Sequence, residues 1–242
     1  MSLFRKNKDL DSEVEFGLLD ANSPFALKEA YSALYTNIVY IGVGDKCKRI
    51  VVTSALPGEG KSTVSANLAL SIAENVENKR ILLIDSDLRA PKLAKLFGIE
   101  SSVNGLSEYL AGVDEKPNFI YLEDRKITLL LSGARSLNPT QLLSSSAMAK
   151  FFAEFENEFD YIIIDTPPVN IVTDALMHTN YVNGYLIATR SEFSDTKSIS
   201  DCINRINQVG GEILGFVYSG VKLKNFGNKY NYSGRYSKYI NG

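Results

Sequence analysis

Nine consecutive residues, Ala55-Leu56-Pro57-Gly58-Glu59-Gly60-Lys61-Ser62-Thr63, follow the phosphate-loop pattern GxxxxGK[ST] with Ala55 at the first glycine. The spacing suits an anion. Gly58 and Gly60 let the backbone curl so that the N–H groups of residues 58–63 point at one phosphate. The helix that should open there adds its positive end. Lys61 brings a mobile charge to the β- and γ-phosphates, and the Ser62 hydroxyl is placed to ligate Mg²⁺. Gly58-Glu59-Gly60 also begins a GxGxxG dinucleotide fingerprint, but Thr63 stands at the third glycine.

Three carboxylates join this loop. In Ile81-Leu82-Leu83-Ile84-Asp85-Ser86-Asp87-Leu88-Arg89-Ala90-Pro91 and in Tyr161-Ile162-Ile163-Ile164-Asp165-Thr166-Pro167-Pro168, an apolar run of strand length ends in acid. Ligands of open parallel sheets bind beyond the carboxyl ends of the strands, so Asp85, Asp87 and Asp165 should converge on the phosphate site. Asp165 reads as the Mg²⁺-holding acid of a nucleotide site. Of Asp85 and Asp87, one can hold the metal shell while the other orients or deprotonates a nucleophile. No [NT]KxD guanine-reading motif occurs in the last third of the chain, which favours ATP, and the HRD and DFG signatures of eukaryotic-type kinases are missing. His178, the only histidine, has no partner pattern around it and reads as structural.

The elements that must hold these residues are legible in the apolar runs. Strands are expected at 49–53, 80–84, 127–131, 161–164, 184–189 and 212–218, alternating with amphipathic stretches. That pattern predicts an α/β three-layer sandwich, a mostly parallel central sheet flanked by helices. One helix should begin at Ser23 as N-cap with Pro24 in its first turn and carry Leu27, Ala30, Leu34, Ile38 and Ile41 on one face. Others should open near Gly60, Ser145 and Ser194.

The 242 residues, 45% hydrophobic and 22% charged, suffice for one core, and a net charge of −2 argues against a nucleic-acid binder. Charge is uneven, however. Residues 221–242 hold Lys222, Lys224, Lys229, Arg235 and Lys238 and no acid, which leaves −7 on residues 1–220. The same segment carries Tyr230, Tyr232, Tyr236 and Tyr239 and few aliphatics, so a single P-loop domain at 1–220, with a polar lead-in over 1–20, should be followed by a flexible basic tail. Cys47 and Cys202 form no metal or disulfide pattern, and no apolar run approaches ~20 residues. A cytoplasmic setting is expected, with any membrane link made through a partner.

As a set, these residues resemble the bacterial tyrosine kinases of capsule and exopolysaccharide assembly, within the MinD/ParA-like P-loop ATPases. The phosphate loop, the run 83–91, the run 164–168 with Thr173-Asp174-Ala175, the segments Gly105-Leu106-Ser107-Glu108-Tyr109-Leu110 and Asn138-Pro139-Thr140-Gln141-Leu142-Leu143, and the tyrosine tail all carry the likeness. It implies a MgATP-dependent kinase that autophosphorylates Tyr230, Tyr232, Tyr236 and Tyr239. Lys61, Asp85 and Asp87 would be catalytic, with Asp85 as base; Ser62, Asp85, Asp87 and Asp165 would surround the metal; and Gly58 to Thr63 would hold the nucleotide. It further implies a transmembrane activator that regulates polysaccharide chain length and keeps the kinase at the inner face of the membrane, a cognate tyrosine phosphatase, and a homo-oligomeric ring. Glu29 is the ring contact in this likeness, while Ser32 and Tyr35 stand where relatives carry arginines. The rival from the same superfamily, a partition-type switch ATPase, has a second lysine early in the loop, where this chain has Leu56.

Overall fold

In the computed structural model, which describes residues 17–41, 45–100 and 103–221, seven strands form one sheet: β1 (Lys48–Ser54), β2 (Ile81–Asp85), β3 (Ile120–Leu122), β4 (Ile127–Leu130), β5 (Tyr161–Asp165), β6 (Gly184–Arg190) and β7 (Ile213–Ser219), in the order β3-β4-β2-β5-β1-β6-β7. All neighbours are parallel except the β3–β4 pair. Strands β2 and β5 are buried at every position. Their unbroken Ile/Leu runs are the signature of a parallel strand covered on both faces.

Helices α1 (Phe25–Val39), α2 (Lys61–Asn75) and α3 (Leu93–Phe97) cover one face, where Ile38, Val64, Leu68 and Leu93 pack with alternate residues of the strands. Helices α4 (Leu106–Leu110), α5 (Pro139–Leu143), α6 (Ser146–Phe155) and α7 (Thr196–Gln208) cover the other. There Phe151 is fully buried and lies edge-on to Tyr109 and Phe152, with ring centroids 5.9 and 5.5 Å away.

The three-layer arrangement and six of the strands agree with the sequence reading; β3 does not appear in it. Helix α1 begins one residue later than expected, with Pro24 at the cap, because the Ser23 hydroxyl donates back to Asp20 rather than capping the helix. Leu19, assigned to the polar lead-in, is 2% exposed, and its N–H donates to Asn67 Oδ1 at 2.8 Å. Tyr230, Tyr232, Tyr236 and Tyr239 lie outside the described residues. No described helix is long and apolar enough to cross a membrane.

Two loop devices hold the carboxyl edge of the sheet. The Glu108 carboxylate accepts from Gly105 N–H at 2.8 Å and Ala134 N–H at 2.9 Å, which locks the start of α4 to the segment leaving β4. Gly105 sits so close that a Cβ there would lie 2.1 Å from the Leu131 carbonyl oxygen. His178, in the 3-10 segment Asp174–Tyr181, is fully buried and hydrogen-bonds through Nε2 to the Ser86 hydroxyl at 2.8 Å. Burial pushes its imidazole down to about 4 against the pull of Asp174.

Both devices are testable. Gly105→Ala should cost about 1–3 kcal/mol in urea unfolding, because backbone must move to admit the methyl group. For His178, the folded protein resists protonation below the unfolded value near 6.5, so its contribution is complete above that pH and is lost as pH falls toward 4. Between pH 7.5 and pH 5 the wild type should therefore lose about 2 kcal/mol more than His178→Gln. Equal losses in the two proteins would refute the assignment.

Candidate active site

Strands β2, β5 and β1 are consecutive in the sheet, and their carboxyl ends deliver the expected residues to one place. Asp85 and Asp165 are register partners, and Asp165 pairs with Val52 of β1. The chain then runs from β1 through the loop into α2, with Gly58 at φ 87° and Gly60 at φ 90°. These left-handed conformations favour glycine at both positions. Among the described residues nothing accepts a hydrogen bond from the backbone N–H groups of Gly58, Gly60, Lys61 or Ser62. A loop whose donors are unpaired at the opening of a helix is built to receive an anion.

The loop is braced from below. Glu59 is fully buried, and its carboxylate accepts from Leu56 N–H at 2.7 Å and from the Ser194 hydroxyl. Only its backbone is thus turned to the phosphate site, a distinction the motif does not carry. Arg190 donates to the Gly58 carbonyl at 3.1 Å, and the Ser219 hydroxyl lies 3.0 Å from the Glu59 carbonyl. These braces come from β6 and β7, more than 130 residues away in sequence.

Lys61 is 7% exposed and lies among the acids, with Nζ 2.9 Å from Asp87 Oδ2, 4.0 Å from Asp165 Oδ2 and 3.4 Å from Ser62 Oγ. Burial opposes its charge, but Asp165 and Asp87, with Asp85 behind them, outweigh that and raise its pKa. Asp85 is fully buried, and burial followed by the Asp165 charge pushes its carboxyl up to about 7. Its Oδ1 accepts from Asp87 N–H at 3.2 Å, and its Oδ2 from Lys92 N–H and Leu93 N–H at 3.1 and 2.9 Å. Asp87 spends Oδ1 on Ala90 N–H at 2.9 Å and keeps Oδ2 on Lys61. Asp165 Oδ1 accepts from Ser65 at 3.1 Å, whereas its Oδ2, fully buried, has no hydrogen-bond partner. Burial raises the Asp165 pKa in spite of Lys61.

Three carboxyl groups crowd one ammonium in a buried site, and the raised pKa values of Asp85 and Asp165 mark the cost of ionising them there. A divalent cation beside Ser62, Asp87 and the Asp165 Oδ2 that lacks a hydrogen bond would stabilise the ionised carboxylates, so the residues fit Mg²⁺. Lys61, Ser62, Asp85, Asp87 and Asp165 are thus brought together as the motifs predict. Glu29, the expected oligomer contact, lies apart, exposed on α1. On the same helix the Ser32 hydroxyl accepts from Asn75 at 3.4 Å and Tyr35 packs against the core that holds Tyr161, so the residues at the arginine positions contact their own domain.

Arg89, Thr140 and Asp174 form a further cluster beside this centre. Asp174 is fully buried, and the Arg89 fork grips it through Nε at 2.7 Å and Nη2 at 3.1 Å, while Thr140 Oγ1 donates to it at 2.6 Å. The sequence gives these residues no role, although all three lie in segments that carry the family likeness.

Comparison with known proteins agrees with this geometry. An AAA domain family profile matches residues 47–214. Tyrosine-protein kinase YwqD of Bacillus subtilis is 32% identical over 232 residues, covering 95% of each chain. Tyrosine-protein kinase CpsD of Streptococcus pneumoniae serotype 4 is 37% identical over 204 residues, 84% of this chain and 87% of CpsD. The kinase domain of the Escherichia coli tyrosine kinase ETK superposes with a TM-score of 0.75 at 31% identity, over 80% of this chain and 75% of that one. A phosphate loop with unpaired donors, an acid cluster at the ends of adjacent parallel strands and these relatives lead to one conclusion: the chain belongs to the bacterial tyrosine-protein kinases, built on the P-loop ATPase fold.

Proposed function

We propose that this kinase uses MgATP to phosphorylate its own C-terminal tyrosines, Tyr230, Tyr232, Tyr236 and Tyr239. The observation that carries the reading is the buried cluster of three carboxyl groups around Lys61, with Asp165 Oδ2 lacking a hydrogen bond beside loop N–H groups that have no acceptor among the described residues. Such a site is unsatisfied without a polyphosphate and a divalent cation.

The loop N–H groups of Gly58 to Thr63 cradle the β- and γ-phosphates. Lys61 exchanges Asp87 for a phosphate oxygen, which is a local swing because its Nζ is already within 3.4 Å of Ser62. Ser62, Asp85, Asp87 and Asp165 are the candidate metal ligands; Mg²⁺ held there would neutralise charge on the transferring group. A tyrosine phenol, with a pKa near 10, needs its proton accepted as the bond to phosphorus forms. Asp85, with its carboxyl pushed up to about 7, is the candidate base. Its burial and three amide bonds favour a second assignment, in which Asp87 takes the proton through the Oδ2 that no amide occupies.

The basic tail suits an acidic body. Its 22 residues span roughly 70 Å when extended, enough to reach a neighbouring copy. Four phosphates at about −1.5 to −2 each would reverse the +5 charge of the tail, which supplies a switch for assembly. The wider setting follows the resemblance: regulation of capsular or exopolysaccharide synthesis and export, a transmembrane activator at the inner membrane face, reversal by a tyrosine phosphatase, and a homo-oligomer with Glu29 at the contact.

Site-mapped phosphorylation with MgATP tests this directly. Phosphate should appear on Tyr230 to Tyr239, fall by at least about 100-fold in Lys61→Met, and vanish when the four tyrosines are changed to Phe. ATP hydrolysis without phosphotyrosine, with or without an activator peptide, would point to a switch ATPase instead. The base is assigned by comparing Asp85→Asn with Asp87→Asn at saturating MgATP; the variant that still binds MgADP within about twofold of wild type but loses about 100-fold or more in kcat marks the proton acceptor.

A further inference from the structure

The turn that follows β2 presents Asp85 and Asp87 to the phosphate loop, yet little inside the turn fixes its direction. Asp85 and Asp87 spend three of their four oxygens on the turn's own N–H groups and on the start of α3. Those bonds shape the turn but do not anchor it to the rest of the protein. Besides Asp87 Oδ2 on Lys61 and Leu88 in the core, anchorage comes from two side chains that flank Asp87 and reach the same neighbour. On one side Ser86 bonds buried His178 at 2.8 Å; on the other, Arg89 grips buried Asp174 with two N–H bonds at 2.7 and 3.1 Å. Both partners lie in the 3-10 segment Asp174–Tyr181, which follows the loop leading from Asp165. Ser86 N–H also donates to the Asp165 carbonyl at 2.8 Å, so the turn and β5 are joined through backbone as well. Thr140, at the start of α5, closes the set by donating to Asp174 at 2.6 Å and accepting from Arg89 Nη2 at 3.2 Å.

We propose that Arg89, Asp174 and Thr140, with the buried Ser86–His178 pair, form a two-pin clamp that positions Asp85 and Asp87 relative to Asp165 for metal-assisted phosphoryl transfer. The clamp residues are positioning residues, which act through the carboxylates. Three features support this. The two pins straddle Asp87 in sequence, so they resist rotation of the turn as well as translation. Asp174 is fully buried and held by a planar fork and a hydroxyl, so three bonds fix its direction even though the Arg89 side chain is itself 41% exposed. The clamp also joins the loops after β2, β4 and β5, so a shift in any of them is felt at the acid cluster. Displacing a reacting group by about 1 Å costs on the order of 100-fold in rate, which sets the scale of its effect.

The proposal rests on the Mg²⁺ reading of the site, and its test separates the two. ADP affinity is titrated in EDTA and in Mg²⁺ for wild type, Arg89→Lys, Asp174→Asn, Thr140→Val and Thr140→Ser, alongside kcat and KM for ATP. In the clamp variants, ADP binding in EDTA should stay within about twofold of wild type, because the phosphate loop is untouched. The gain in ADP affinity on adding Mg²⁺ should shrink by about tenfold, and kcat should fall by about 10- to 100-fold with little change in KM. Thr140→Ser should retain what Thr140→Val loses. Amide exchange should accelerate at Asp87 and Ala90 ahead of the core strands.

Variants that keep the full Mg²⁺ gain and wild-type kcat would overturn the clamp. A loss of EDTA-state ADP binding in proportion to kcat would also overturn it, since that marks general loosening. If Arg89→Lys or Asp174→Asn fails to fold, Thr140→Val, which removes one hydroxyl at nearly constant shape, decides the matter by the same readouts. A wild-type chain whose ADP affinity ignores Mg²⁺ overturns the clamp together with the metal reading. A wild type that binds MgADP but modifies no tail tyrosine overturns only the acceptor assignment and leaves the clamp to be judged on the binding data.

Discussion

Three buried carboxyl groups gathered around one ammonium organise this molecule. Asp85, Asp87 and Asp165 surround a single ammonium, that of Lys61, at the ends of adjacent strands. Taking carboxylates out of water costs several kcal/mol each unless they are paired, so the cluster persists only because the sheet and its loops hold it in place. The raised pKa values of Asp85 and Asp165 are the electrostatic trace of that constraint. Such a cluster would be relieved by a dication bound together with a polyphosphate. In this sense the stability of the free protein and its chemistry oppose one another at one point, and the surrounding braces resolve the conflict.

Those braces differ in kind on the two sides of the cluster. On the phosphate-loop side they are indirect: Glu59 turns its carboxylate away from the site and pins the loop to Ser194 and to its own backbone, leaving the N–H row open. On the side of Asp85 and Asp87 they are side-chain to side-chain, with Arg89 on Asp174 and Ser86 on His178. The distinction follows from what each loop must do. The phosphate loop binds through backbone, so it needs free donors in a fixed curl. The acid turn works through side chains, so its orientation matters more than its internal hydrogen bonding.

What the sequence made legible follows from the range of the interactions involved. Strands β2 and β5 announce themselves because a strand buried on both faces must be apolar throughout, and their terminal acids are local to them. The loop motif is local as well, and it placed Lys61 and Ser62 correctly beside Asp165. The misses are non-local or short. Strand β3 has three residues and owes its existence to pairing with β4. Leu19 is tied to α2 through Asn67, 48 residues away, and the short run Phe16-Gly17-Leu18-Leu19 does not by itself show what it packs against. Arg89 and Asp174 are 85 residues apart, and a lone histidine opposite a serine 92 residues away has no periodicity to betray it. Motif resemblance flagged the right segments but could not say which of their residues touch phosphate and which hold others in place.

The position of β7 links this site to the tail. Because β7 runs parallel to β6, its carboxyl end lies on the same edge of the sheet as the phosphate loop, and the Ser219 hydroxyl reaches the Glu59 carbonyl there. The chain therefore leaves the sheet beside the catalytic edge, and Tyr230 follows Val221 by only nine residues. At ~3.3 Å per residue that stretch spans about 30 Å, and the whole tail about 70 Å, so its own site and that of a neighbour both lie within reach. Distance does not choose between them. The choice therefore rests on the direction from which an acceptor phenol could meet the phosphate in line, and that direction is set by the acid turn that the Arg89–Asp174 and Ser86–His178 contacts hold.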